Sequence, residues 1–208
     1  MKTIHPQLPF LDERKEVLEA QLEQCPKALQ DAFLETLFAT VSSPFTDPTH
    51  HTLQAIDQAY RSLVEWELLG SLAPAAERRA VDITYIRTLL LMAVEADNRP
   101  PNSSGPSKEA ILGRAVSGAM ARKLHQSRPR QPLPGGIPDA GDDAKLRIWW
   151  VLVVLDRWHA VSTGSHCLVP KRHMNTSPGL RRLLGERFYY LLRGFFLRIQ
   201  IWADINSC

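Results

Sequence analysis

Four side chains able to bind a metal or move a proton lie between positions 159 and 173: His159, His166, Cys167 and His173. A structural zinc site needs ligand pairs spaced as C-x2-C or H-x3-5-H, so that two donors from one turn reach the same ion. Here only His166 and Cys167 are neighbours, and side chains of adjacent residues diverge, so ordinary polar or half-buried roles are expected. His50 and His51 flank a helix start and make a weaker case still. Asp156 and His159 stand three apart on one helix, a spacing at which a carboxylate can orient an imidazole as in a hydrolase relay. No G-x-S-x-G or other nucleophile turn accompanies them. Asp156 shares a face with Trp149, Leu152 and Val153, where an unpaired carboxylate is expensive. A cationic partner is therefore expected for it, either Arg157 or an arginine from another helix. Asp142 and Asp143 could suggest the magnesium-binding pair of helical terpene cyclases, but Ala144 and Lys145 do not complete that motif, and helix capping explains the pair better. Phosphate loops of the G-x-x-x-x-G-K type and the G-x-G-x-x-G fingerprint are absent. No catalytic, cofactor-binding or metal-ligating residue is expected from these patterns.

The elements that would carry these residues are helices. Apolar residues recur at three- and four-residue spacing and nowhere alternate in strand-like fashion. The spacing predicts about seven helices in an all-α, irregular bundle. The first spans Asp12 to Gln24, with Val17, Leu18 and Leu22 on one seam. Pro26 starts the second, and Asp47 with Pro48 starts the third, which ends near Gly70. Pro74 opens a fourth helix to about Asn98, where only Thr84, Arg87 and Thr88 are polar between Ile83 and Val94, which implies burial on most sides. Ser107 caps a fifth helix to about His125 whose small residues, Gly113 and Gly118 among them, permit close approach of a neighbour. Residues 127–141, rich in Pro and Gly, form the strongest linker signal and are expected to be flexible. Asp142 then caps the sixth helix, uninterruptedly apolar from Ile148 to Leu155, which must be a buried central helix near 143–163. Ser177 and Pro178 begin the last helix, which carries a broad stripe from Phe188 to Trp202.

The composition fits one domain over residues 1–208: 44% hydrophobic and 23% charged residues. The net charge of +3 hides a split. Positions 1–107 hold nine basic and fifteen acidic residues, and positions 108–208 hold sixteen and seven. Because Arg147, Arg157, Arg193 and Arg198 are interspersed with apolar residues, solvated or salt-bridged faces are expected in preference to a polyanion site. Three distant cysteines indicate neither a disulfide framework nor a zinc site and fit a reducing compartment. The first ten residues lack the apolar core of a secretion signal, and no apolar run approaches the ~20 residues of a membrane span. A soluble protein is expected.

The sixth helix reads Asp143-Ala-Lys-Leu-Arg-Ile-Trp-Trp-Val-Leu-Val-Val-Leu-Asp-Arg-Trp158, followed by Ser162-Thr-Gly-Ser165 and Leu168-Val-Pro170. This resembles the middle homology region of fungal zinc-cluster transcription factors, the fungal-specific transcription factor domain. The residues that carry the likeness are Arg147, Trp149, Trp150, Leu155, Asp156, Arg157, Gly164 and Pro170, for which the resemblance implies structural roles. Ile4-His-Pro and Leu8-Pro-Phe-Leu11 look like the start of that region, and Leu112-Gly-Arg-Ala-Val116, Met120-Ala and Leu124-His125 like the helix before its linker. The likeness thus extends over nearly the whole chain. Leu89-Leu-Leu-Met-Ala-Val-Glu-Ala-Asp-Asn-Arg99 is similar to the branch that includes glucose-responsive regulators. Two segments depart from the pattern: Gly164-Ser-His stands where Gly-Arg-Pro is usual, and Lys171-Arg-His-Met replaces an acidic stretch, which weighs against a ligand role for that loop.

The resemblance implies a nuclear regulatory domain of a transcription factor, truncated at its C-terminal end, that tunes RNA polymerase II transcription, with carbon-metabolism genes as candidate targets. Expected partners are the transcriptional machinery or regulatory proteins, with a small-molecule effector as a further candidate and no direct DNA contact by this chain. Zinc is expected only in the six-cysteine DNA-binding cluster of the family, which these residues cannot supply, so no cofactor is expected here. Two alternatives stay open: a generic helical interaction protein or decayed regulator fragment, and an enzyme of unknown class.

Overall fold

The structure, a computed structural model, describes residues 10–11, 14–42, 50–69, 78–99, 105–126, 140–174, 180–186, 188–190 and 192–194. Every regular element among them is helical. The chain divides into two compact units, one of Leu11–Arg122 and another that holds Phe10 together with Lys123 onward.

The 11–122 unit contains α1 (Lys15–Glu23), α2 (Lys27–Ser42), α3 (His50–Leu69), α4 (Arg78–Asn98) and α5 (Lys108–Ala121). Local chemistry starts several of these helices. The Pro26 carbonyl accepts from the amides of Leu29 and Gln30, and Lys27 pairs with Asp31 one turn on at 2.5 Å. Ser107 accepts from the Ala110 amide at 3.2 Å as the N-cap of α5. Within the unit α2 packs on α3 and α4, while α1 and α5 pack on α4. The largely apolar stretch of α4 from Ile83 to Ala93 is buried, its three polar residues Thr84, Arg87 and Thr88 included. Its threonines are compatible with that burial because a hydroxyl can return its hydrogen bond to its own helix. Thr88 donates to the Thr84 carbonyl at 2.9 Å, and on the facing helix Thr40 reaches the carbonyls of Thr36 and Leu91. Of the two glycines of α5, Gly118 marks the close approach: a Cβ there would meet Tyr85 Cε1 at 3.0 Å and Ile86 Cδ1 at 3.1 Å. Gly113 faces open space.

The other unit holds a 3-10 turn at Leu124–Gln126, α6 (Ala140–Thr163), a second 3-10 turn at Lys171–His173, and α7 (Leu180–Leu184). The 124–126 turn and α7 both pack on α6. Residues Ile148 to Arg157 of α6 are buried without interruption, so this helix has no solvated face along that stretch.

Besides α1, which starts at Lys15 after an extended Arg14 and not at Asp12, three boundaries differ from the sequence expectation. Helix α5 stops at Ala121: the Arg122 amide makes its last bond, to the Gly118 carbonyl, and Lys123 turns left-handed at φ +57°, so His125 sits in the 3-10 turn. Helix α6 begins at Ala140, so Asp142 and Asp143 lie within its first turn, where the helix dipole favours acidic residues, and not at the cap. The final helix is interrupted at Gly185, whose φ of +76° ends α7; helical turns resume when the Tyr189 amide bonds the Gly185 carbonyl. Most of the expected 127–141 linker and the Asp47-Pro48 helix start lie outside the described residues, as do Ser177 and Pro178, Trp202 and Cys208.

Candidate functional site

Among the described residues from Lys123 onward, the densest polar arrangement is built on Asp156 and Arg157, adjacent residues near the end of α6. Both are buried, at 1% and 5% exposure. Asp156 Oδ1 accepts from the Leu168 amide at 2.8 Å and Oδ2 from the Val169 amide at 3.1 Å. Arg157 Nη2 donates to the Val169 carbonyl at 2.5 Å and contacts Met174 Sδ at 2.9 Å. The two side chains thus do for residues 168–169 what a neighbouring strand would do, satisfying donors and acceptor of a backbone that forms no regular element. The expected cation beside Asp156 is Arg157, but at 3.8 Å the pair runs side by side, and backbone amides hold the carboxylate.

The chain reaches this clamp through Gly164, whose φ of +70° is left-handed and suits a residue without Cβ. Before it, Ser162 and Thr163 hydroxyls donate to the His159 carbonyl at 3.0 and 2.8 Å and close the end of α6. After it, the Pro170 carbonyl accepts from the His173 amide at 3.0 Å and starts the second 3-10 turn. Residues 164–174 therefore form a strap tied back to the helix they leave.

Deeper in α6, Trp149, Trp150 and Leu155 are buried, and Arg147 is half-buried with its Nε enclosed and lacking a hydrogen-bond partner among the described residues. The Trp149 ring lies 5.7 Å from that of His125, which meets His173 edge-on at 4.6 Å. His173 Nε2 accepts from Arg172 Nε at 3.2 Å. Burial pushes the His125 pKa below its usual value, and repulsion from His173 adds to the effect. An imidazole pair thus links both 3-10 turns beside Trp149. The sequence reading did not bring His125 and His173 together, since nothing in their 48-residue separation marks a contact.

The four residues first singled out as ligands are dispersed. His166 and Cys167 are exposed on the strap, His159 is half-buried on α6, and His173 pairs with His125. No hydrogen bond joins His159 to Asp156, whose oxygens are engaged by the strap amides. Among the described residues no group of three or more His, Cys, Asp or Glu could hold a metal ion, and no helix is long and apolar enough to cross a membrane. Cys25 is buried in the 11–122 unit, within hydrogen-bonding distance of the Gln21 carbonyl and Thr84 Oγ1. The side chains of His50 and His51 lie outside the described residues.

A second network, which the sequence reading missed, ties α3, α4 and α5. Tyr85 Oη donates to Glu67 Oε1 at 2.7 Å, Arg114 donates to Glu67 Oε2 at 2.6 Å, and Arg122 donates to Asp82 at 2.6 Å while covering the Tyr85 ring at 4.8 Å. Burial, and then the bond to Glu67, raise the Tyr85 pKa to about 12, so the phenol keeps its proton. Every polar group here faces another protein group, which makes the network a lock between helices.

Residues 1–178 match the family described as the fungal specific transcription factor domain. The chain is also 30% identical, over 187 residues, to an uncharacterized transcriptional regulatory protein of Schizosaccharomyces pombe. That alignment takes in 88% of this chain and 21% of the relative, so the chain spans about a fifth of the relative's length. No solved structure matches.

Proposed function

Since the chain belongs to the fungal specific transcription factor domain family, we propose that its polar core serves as scaffold for a regulatory surface and not as a centre of catalysis or metal binding. The chain is a helical regulatory domain of a fungal transcription factor. One observation carries the scaffold reading: the carboxylate and guanidinium best placed for chemistry, Asp156 and Arg157, are engaged in holding the backbone of residues 168–169. At 1% exposure, and with a strap amide on each oxygen, the Asp156 carboxylate is not presented to a substrate. The same reading assigns Arg147, Trp149, Trp150, Leu155, Gly164 and Pro170 to the packing and turns that set the strap on α6.

In this reading the domain works in the nucleus by binding other regulatory proteins or the transcriptional machinery, and DNA contact falls to other parts of a longer protein. A partner or small molecule that prefers one packing of α6 and its strap would shift the population of active regulator by its difference in affinity for the two states. The test is to tether the 208-residue chain to a heterologous DNA-binding domain and measure a reporter. The tethered chain is expected to change reporter output several-fold over the DNA-binding domain alone, and Asp156→Ala is expected to abolish the change at equal protein level. Output equal to that of the bare DNA-binding domain would refute the regulatory reading.

A further inference from the structure

His125 and His173 are both half-buried, their ring centres 4.6 Å apart and edge to face, and the His125 ring stands 5.7 Å from that of buried Trp149. His125 Nδ1 is enclosed and has no hydrogen-bond partner among the described residues. In a charged ring both nitrogens are donors, so an imidazolium here would hold an N–H with nothing to receive it. His173 is equally ill suited to charge. Its Nε2 accepts from Arg172 Nε, a bond that a proton on that nitrogen forfeits, leaving a guanidinium against an imidazolium. Of the charged side chains described on the surrounding elements, Lys123 precedes the first 3-10 turn, and Lys171 and Arg172 belong to the second. On the Trp149 face of α6, Lys145 lies one turn before the indole and Asp156 two turns after it, while Arg157 holds Met174, the residue after His173. Both oxygens of Asp156 are taken by strap amides, and His173 is the group that bears electrostatically on His125. Burial first, and then that repulsion, disfavour the charged form of His125. The closed arrangement is thus the one that holds at neutral pH and weakens as pH falls through the folded value.

We propose that His125 and His173 form an acid-operated latch: with both rings neutral the two 3-10 turns close over Trp149, and when the rings take up protons the second turn, Lys171–His173, swings off and uncovers the indole. The clamp at residues 168–169 contains no imidazole, so the strap stays fastened to α6 while the turn leaves. The proton acts here as a ligand that prefers the open state and shifts the population by its difference in affinity. The latch deepens the regulatory reading by naming a signal that the strap answers to, and rests on that reading for its biological meaning. Opening of the turn in solution and reporter output are separate readouts, so either can fail alone.

The experiment is two-dimensional NMR of the whole chain between about pH 7.5 and 5.5, the range in which imidazoles titrate, with a neutral gadolinium chelate in solution to mark exposed protons. On acidification the chelate is expected to broaden the Trp149 indole N–H and the amides of residues 171–174 several-fold more, while the amides of Val169 and of Leu152 to Leu155 stay shielded. His125→Phe and His173→Phe each keep a ring that takes no proton, and should hold the turn closed across the range. His173→Arg, charged throughout, should leave it open across the range. His166→Ala removes an exposed imidazole of the strap that lies outside the pair, and should respond as the parent does. Circular dichroism at each pH checks that the helices persist. Shielding that does not change with pH would overturn the proposal, as would a response that survives both Phe substitutions or disappears with His166→Ala. Exposure of Leu152 to Leu155 together with the turn would mean general unfolding and would overturn it as well. So would a turn that closes more tightly in acid, the result expected if the indole gripped a charged His125 as a cation over its face.

Discussion

Asp156 accepts two backbone amides with one carboxylate, and that geometry makes its replacement unusually specific in effect. Asn at this position keeps one acceptor oxygen and turns the other into a donor, so one strap amide faces an N–H and Arg157 loses its adjacent negative charge. Asp156→Asn is expected to destabilise the fold by roughly 1–3 kcal/mol, the cost of leaving a buried donor unsatisfied. Hydrogen exchange is the sharper measurement: the amides of Leu168 and Val169 should lose protection while those of Leu152 to Leu155 keep theirs. Uniform loss across α6 would mean that the clamp is not local. In the sequence, Asp156 read as a buried carboxylate in need of a cation, and Arg157 was one of the named choices. That backbone amides hold it was not legible, because it depends on a chain reversal at Gly164 that returns residues a full strap later to the same helix.

Among elements, burial of α4 on most sides and of α6 all round was readable, since few polar residues fall between Ile83 and Val94 and none between Ile148 and Leu155. The ends of helices were less legible. Gly185 carried its signal openly, yet the last helix reads as unbroken from Ser177 and Pro178 into the stripe that begins at Phe188, and the interruption passed unmarked. The lock between α3, α4 and α5 escaped because it joins Glu67, Tyr85 and Arg114 across three elements. Tyr85→Phe should cost about 1 kcal/mol through the lost hydrogen bond to Glu67. Because the folded pKa is raised to about 12, the phenol contributes stability below the unfolded value near 10 that is lost as pH rises towards 12. Denaturant titrations across that window should show a shallower alkaline decline in the variant. For His125 the sign reverses. Its pKa is depressed on folding, so its contribution is present above about pH 6.5 and is lost as pH falls through the folded value. Acid unfolding below pH 6.5 should be blunted in His125→Phe, which keeps an aromatic ring against Trp149. An unchanged acid limb would remove the imidazole pair from the account.

For the molecule as a whole, the division of charge noticed in the sequence follows the division into units. Leu11–Arg122 carries eleven basic and sixteen acidic residues, and the remainder carries fourteen and six. A basic unit attracts polyanions without reading sequence, so the chain alone should bind DNA weakly, with a salt-steep and sequence-indifferent affinity. Gel shifts at physiological salt should show no preference among duplexes, and a specific complex would contradict the assignment of DNA contact to other parts of a longer protein. The strap has one further consequence, for change over evolutionary time. At position 168 it is fastened to α6 through a main-chain amide, which nineteen of the twenty amino acids can supply, and the Leu168 side chain is 36% exposed. Only proline, lacking that hydrogen, is barred there by the fastening itself. The position can therefore be relettered among descendants of this gene while the underlying architecture stays in place.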